Sequence, residues 1–420
     1  MDHVSESARA TEGPMMMRAE IGAPPPVPVD GGRIPSLDGL RAISIGLVVF
    51  RHLCGTGNFL PDRVGGFFEV GDLGVRVFFV ISGFLITTLL LNELDASGRV
   101  HLGKFYLRRT FRIFPPYYAF LLAVLAASAA GWLALHPGDL AHAFTYTSNY
   151  HADRSWPVGH TWSLSVEEQF YLLWPAVLLV AGRRRALVAA AAFFLASPVI
   201  RLGLWWWGGP EIGIGHRFET VADAIAIGCV LAGSAAWLQG QPLYSRLLDS
   251  RLFVLAPVAV LAASLLHDRP RLSCLFGFSV MNLGIAACLH WCVIHHEGRI
   301  GRVLNSAPLV YVGVLSYSIY LWQQVFLDRE SAAALNQFPA NLLGVIAASV
   351  VSFYAVERPW LALRRRLERR WFPPIVASAG RTGHARPRPA SGRLAGGHRD
   401  RGNGRRAEDR TGWSPPPENA

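Results

Sequence analysis

Apolar runs of membrane-spanning length recur along this chain between residues 36 and 361, separated by short polar loops. A helix needs about 20 apolar residues to cross a hydrocarbon core about 30 Å thick, so the pattern predicts an all-α integral membrane protein. Ten runs can be drawn, at roughly 36–53, 75–92, 112–134, 163–181, 186–207, 219–238, 252–266, 274–294, 308–327 and 341–361. The expectation is about ten transmembrane helices. The first and fourth runs stand apart because polar residues enter them. No spacing repeats at a fixed period, which argues against a solenoid.

In the first run the polar residues form a stripe. It reads SLDGLRAISIGLVVFRH from Ser36 to His52. Eleven steps at about 3.6 residues per turn make almost three whole turns, so Arg41 and His52 share a face, roughly 16 Å apart along the axis. Asp38 precedes Arg41 by three residues and can pair with it. Charge inside a bilayer is costly, so such groups face a protein interior or a wet cavity and often mark a functional path. A structural Asp38–Arg41 pair with an interfacial histidine fits the same residues.

Loop charge sets the orientation. With a cytoplasmic N-terminus, the inner loops carry twelve basic residues, among them Arg99, Lys104, Arg108, Arg109, Arg112 and Arg183 to Arg185, and the outer loops carry six. The Arg-rich stretch after the last run also falls inside, so both termini are expected in the cytoplasm. Arg41 then lies toward the inner face and His52 toward the outer face.

Composition agrees with a membrane domain: 51% of the 420 residues are hydrophobic and 16% charged. The net charge of +11 comes mostly from residues 364–420, where fourteen Arg face five acidic residues. That stretch is rich in Arg, Pro and Gly, so it is expected to be a disordered basic tail, drawn to anionic lipid and not to nucleic acid. Residues 1–33, with Pro24 to Pro26, are also expected to lack structure. They have no apolar core of a cleavable signal peptide, so the first helix should serve as an uncleaved anchor. The membrane domain is then residues 34–363. The five cysteines lie in or beside apolar runs without metal-ligand spacing, so they are expected in the core, with no metal site.

Several motifs carry candidate chemistry. Arg109 and Arg112, one turn apart with Arg108 beside them, can grip phosphate oxygens and dock a phosphorylated cofactor from inside. The positive-inside bias alone also accounts for them. Ser82 and Gly83 make a thin spot on the second run, where a helix or a slender ligand can approach. The fourth run opens GHTWSLSVEEQFYLLWP, bringing Glu167 and Glu168 in from the outer side, the side of His52. A carboxylate beside a histidine orients the imidazole and raises its basicity. Ser165 with Glu168 also fits a helix capping box. Glu219 and Asp223 fall on one face of the sixth run, and the SYSIYLWQQ and YAVERP segments add further polar groups; each reads as structural when taken singly. His290, His295 and His296 are expected as solvated loop histidines.

Together these segments resemble the acyltransferase-3 family of bacterial integral membrane O-acyltransferases, over roughly residues 34–361. The resemblance rests on LDGLRAISIGLVVFRH, GVRVFFVISGF, RRTFRIFPPYY, TWSLSVEEQFYLLWP, SYSIYLW and VERP, six elements in order. It implies ten core helices in the inner membrane. It also implies acyl transfer from an acyl-CoA, often acetyl-CoA, to a hydroxyl of a carbohydrate or natural product. The family's R-x10-H pair falls on Arg41 and His52, and its R-x-x-R pair on Arg109 and Arg112. Many members carry His where this chain has Gln323, so no proton transfer is expected there. Some relatives add a C-terminal extracytoplasmic esterase-like domain; here a short tail follows, and the membrane domain is expected to do the whole reaction.

The resulting expectation is a membrane O-acyltransferase. Acyl-CoA, a co-substrate and not a tightly bound cofactor, docks at Arg108, Arg109 and Arg112, with Ser82 and Gly83 along its path. The acyl group reaches the bundle beside Arg41, a candidate oxyanion stabiliser. His52 acts as general base or acyl relay, oriented by Glu167 or Glu168. The expected partners are acyl-CoA, a hydroxyl acceptor and membrane lipid. A macrolide-like molecule or a lipid is the alternative acceptor, and a transporter without acyl chemistry is the rival reading.

Overall fold

The computed structural model describes residues 34–67, 69–209 and 213–372. Among these residues every regular element is helical. Ten helices organise the bundle: α1 (Leu37–Leu53), α2 (Val70–Ser97), α3 (Leu102–Ala129), α4 (Thr161–Gly208), α5 (Asp223–Gln239), α6 (Leu255–Ser264), α7 (Phe278–Ile294), α8 (Ala307–Phe326), α9 (Ala340–Ser352) and α10 (Arg358–Trp371). Gly182 breaks α4 into two stretches by adopting φ 74°, ψ 165°, a region open to glycine and closed to most side chains. The fourth and fifth predicted runs are the two helical stretches on either side of it. Six helical stretches are long and apolar enough to cross a membrane among the described residues, or seven if the bent pair Asp223–Gln239 and Pro242–Asp249 is one span.

Small residues set how closely the helices approach. Gly83 of α2 lies against the Ile225 carbonyl of α5, and Gly228 of α5 lies reciprocally against the Val80 carbonyl of α2; a Cβ at either position would collide. Gly313 of α8 meets the Asp38 carbonyl of α1 in the same way. The core around these crossings is continuous, with Phe79, Phe84, Tyr117, Phe120, Ile225 and Leu321 almost fully buried. At the N-terminal end of α1, the Ser36 amide donates to Asn305 Oδ1 at 2.7 Å, tying α1 to the segment before α8.

Three expectations change here. The stretch Arg364–Arg370 was expected to open a disordered tail. Instead it continues as α10, because its few apolar residues recur at helical spacing and one face packs on α3. The terminal segments expected at 1–33 and, beyond Phe372, to 420 lie outside the described residues. His290 is fully buried, not solvated: Tyr244 Oη sits 2.7 Å from its Nδ1, and only His295 and His296 lie near the end of α7. Glu219 and Asp223 lie on either side of a helix boundary at Ala222 and take different partners. Glu219 pairs with Arg217, and Asp223 is buried against Arg201 at 2.8 Å.

Candidate active site

α1 carries Arg41 and His52 on one helix, and the two ends meet different surroundings. Asp38 lies 3.9 Å from Arg41, an i,i+3 pair on the helix face. Arg41 is also in electrostatic reach of Arg112 from α3, Glu357 from the turn before α10, and Glu167 from α4. Glu357 is buried and accepts a hydrogen bond from Ser318 Oγ of α8 at 3.2 Å. The residues 353–357 form a π-helical turn, which swings Glu357 toward the two arginines.

Glu167 does not touch His52. Its carboxylate accepts from Ser82 Oγ at 2.7 Å and from Tyr171 Oη at 3.3 Å, and Tyr171 Oη also reaches Ser82 Oγ at 3.0 Å. The Arg109 guanidinium lies 4.6 Å above the Tyr171 ring. Glu168 is in electrostatic reach of Arg109, and its Oε1 is buried without a hydrogen bond. The expected capping box is absent because the helix starts four residues earlier, at Thr161, and Ser165 Oγ donates to the Thr161 carbonyl. The two glutamates thus belong to the arginine cluster.

His52 finds its partner elsewhere. Its Nδ1 lies 2.5 Å from Gln323 Oε1 of α8. An amide oxygen only accepts, so Nδ1 carries the proton and Nε2 is left with its lone pair free. The imidazole meets Trp156 edge to face, with centroids 5.1 Å apart. Above it Arg329 lies 5.7 Å from the Trp156 ring, bonds the Arg51 carbonyl at 2.7 Å and pairs with Asp62 at 2.6 Å. This is an arginine and carboxylate clasp over the C-terminal end of α1.

A second histidine stands beside the first. His160 precedes α4, is buried, and its Nδ1 and backbone amide both lie 2.8 Å from Gln324 Oε1. Gln323 and Gln324, adjacent in the sequence, therefore seat two imidazoles that interact electrostatically with each other. Sequence reasoning passed over His160 and assigned Gln323 no role. The available signal was a pair of amides inside an otherwise apolar run.

The remaining expected site residues separate. Arg108 is exposed and pairs with Glu368 of α10. Arg109 and Arg112 interact but point differently, one to Tyr171 and one toward Arg41 and Glu357. Gly83 is not a ligand contact, because α5 already fills the thin spot. Toward the Arg154 end of the molecule, a cavity of about 180 Å³ is lined by Tyr150, His151, Arg154, His216 and Arg217. His216 is pushed down to about 4 by burial and by Arg154, so at neutral pH it is an uncharged hydrogen-bonding group.

The sequence profile described as an acyltransferase domain matches residues 34–357, more than half the chain. The chain belongs to the acyltransferase-3 family. Among its relatives is the peptidoglycan O-acetyltransferase OatA of Listeria monocytogenes, 29% identical over 318 residues, covering 69% of this chain and 48% of that protein. A Staphylococcus aureus protein provisionally named an O-acetyltransferase is 31% identical over 316 residues, covering 69% of this chain and 50% of its own length. A Bacillus subtilis protein provisionally named a peptidoglycan O-acetyltransferase, YrhL, is 29% identical over 320 residues, covering 69% of this chain and 48% of its own length. The chain thus spans about half the length of these relatives. No solved structure matches it.

Proposed function

We propose that this acyltransferase-3 protein transfers an acyl group, acetyl in the first instance, from cytoplasmic acyl-CoA to a hydroxyl of a cell-envelope carbohydrate. The observation that carries the reading is the His52–Gln323 contact, which leaves a neutral imidazole with a free Nε2 at one end of α1, while Arg41 and Arg112 cluster at the other. The donor's phosphates bind at the basic mouth with Arg109 and Arg112, and its thioester extends past Arg41. His52 Nε2 takes the acceptor's hydroxyl proton as the oxygen attacks the thioester carbonyl. The new C–O bond forms, the C–S bond breaks, and the proton passes to the departing thiolate. Gln323 holds the ring without adding charge, so it orients the base and does not itself move a proton. Arg41, on the same face roughly 16 Å from His52, lines the path by which the donor's thioester arrives.

A carbohydrate acceptor suits the cavity between Tyr150 and His216, where Arg154, Arg217 and the uncharged His216 offer hydrogen bonds to a sugar's hydroxyls. The Listeria relative's name makes a peptidoglycan-type glycan the first acceptor to try. Ten crossings in a bacterial inner membrane, with both ends cytoplasmic, complete the reading. Exposed tryptophans near helix ends, Trp132, Trp206, Trp207, Trp237 and Trp371, suit a membrane interface.

Purified protein in lipid nanodiscs, given labelled acetyl-CoA with glycan fragments, should yield acceptor heavier by one acetyl group and free CoA. Binding of the glycan with no acyl transfer and no CoA release would return the protein to the transporter reading.

A further inference from the structure

α10 packs along the first turns of α3. Arg108 Nε donates to Glu368 Oε1 at 2.9 Å, the Phe111 and Trp360 rings lie 5.7 Å apart, and Gly103 approaches the Phe372 ring. This packing brings cations from two helices together. Lys104 and Arg108 of α3 share Glu368 with Arg364 of α10, and Arg364 is also in reach of Arg365 and Arg112. The Arg364 Nε is buried and makes no hydrogen bond. A topology signal needs such charges on one side of the membrane; it does not need them on facing turns, where they repel. One carboxylate does not balance them, so the groove between the helices is built for an anion. Arg112 links the groove inward, since it also reaches Arg41 and Glu357.

We propose that the groove between α3 and α10, lined by Lys104, Arg108, Arg364 and Arg365, binds the nucleotide phosphates of the acyl-CoA donor. This site rests on the acyl-CoA reading above and adds a second wall to the docking pair on α3. Glu368 holds Arg108 in place when the groove is empty and competes with phosphate when donor arrives. An anionic lipid headgroup carries the same phosphate chemistry, and the test separates the two.

The test uses the full chain in neutral-lipid nanodiscs and compares KM for acetyl-CoA with KM for S-acetyl-pantetheine, which lacks every phosphate. Arg364→Gln should raise the acetyl-CoA KM about tenfold and cut the preference for acetyl-CoA over S-acetyl-pantetheine by the same factor. Glu368→Gln should lower the acetyl-CoA KM, a gain that misfolding cannot produce. Unchanged acetyl-CoA KM in both variants overturns the groove and leaves the donor reading standing. A wild-type protein that neither binds nor consumes acetyl-CoA overturns the donor reading, and the groove with it. In a third arm, phosphatidylglycerol is added. If Arg364→Gln loses retained phosphatidylglycerol while its acetyl-CoA KM stays unchanged, the groove serves lipid and the proposal falls.

Discussion

The two halves of α1 sit in opposite chemical environments. Around Arg41 the neighbours are charged: Asp38, Arg112, Glu167 and Glu357. Around His52 the closest partners are neutral, an amide at 2.5 Å and an indole at 5.1 Å, and the charged clasp of Arg51, Asp62 and Arg329 stays above the ring. A cluster of guanidinium and carboxylate groups gains from an incoming anion and can trade partners with it. An imidazole held by an amide keeps a free lone pair and gains no charge from its support. The N-terminal half is suited to hold an anion, and the C-terminal half to move a proton. Removing the carboxylates from the imidazole's surroundings also separates this site from a Ser-His-Asp arrangement, in which a buried carboxylate stabilises the charged ring.

The sharpest way to break this comparison is to remove the base. His52→Ala should lower acyl transfer by about 10²–10⁴-fold, the usual contribution of a positioned general base, with membrane insertion unchanged. Near-normal product at a normal protein level would end the role of the C-terminal half. Removing charge from the N-terminal half's surroundings should act differently. Arg109→Gln with Arg112→Gln should raise the donor KM by about 10–100-fold through lost charge-assisted hydrogen bonds, with acceptor KM little changed. Equal losses for donor and acceptor would mean that the cluster holds the bundle together and not the donor.

A third experiment makes the two halves alike. Gln323→Glu places a carboxylate against His52 Nδ1, which favours the protonated ring. The ring then stays protonated to higher pH, so activity that depends on the free base is lost at higher pH than in wild type. The acid limb of the rate profile should move to higher pH, while rates on the alkaline plateau stay within about tenfold. An unmoved limb would show that Gln323 does not set the protonation of His52.

Sidedness, the smallest perturbation, should leave the rate untouched. Single cysteines at Gly98 and Gly138, in a background without the five native cysteines, should label oppositely with an impermeant thiol reagent. Gly138 should react in intact cells once any outer barrier is permeabilised, and Gly98 only after the inner membrane is opened. The reverse pattern would put His52 and the donor in one compartment and remove the cross-membrane part of the mechanism.

Much of the helical plan was legible in the sequence, for a physical reason. Apolar length and the period of 3.6 residues act locally, so each predicted run became helix, and Asp38, Arg41 and His52 were assigned to one element from spacing alone. The strip LDGLRAISIGLVVFRH and its five companions also identified the family from order and composition. Local spacing says nothing about which helix stands opposite. Glu167 and Glu168 enter from the expected stretch, yet they turn to Ser82, Tyr171 and Arg109 because α2 and α3 lie across from them. Gln323, which no spacing rule connects to residue 52, reaches His52 only because α8 crosses α1 closely enough for Gly313 to touch Asp38. Likewise the basic stretch at 364–370 read as tail, since its charge is visible in sequence while the α3 surface that receives its apolar face is not. The sequence by itself determined the elements and the side-chain inventory on each. Only tertiary packing, through contacts between residues hundreds of positions apart, decided which base, which amide and which arginines belong together.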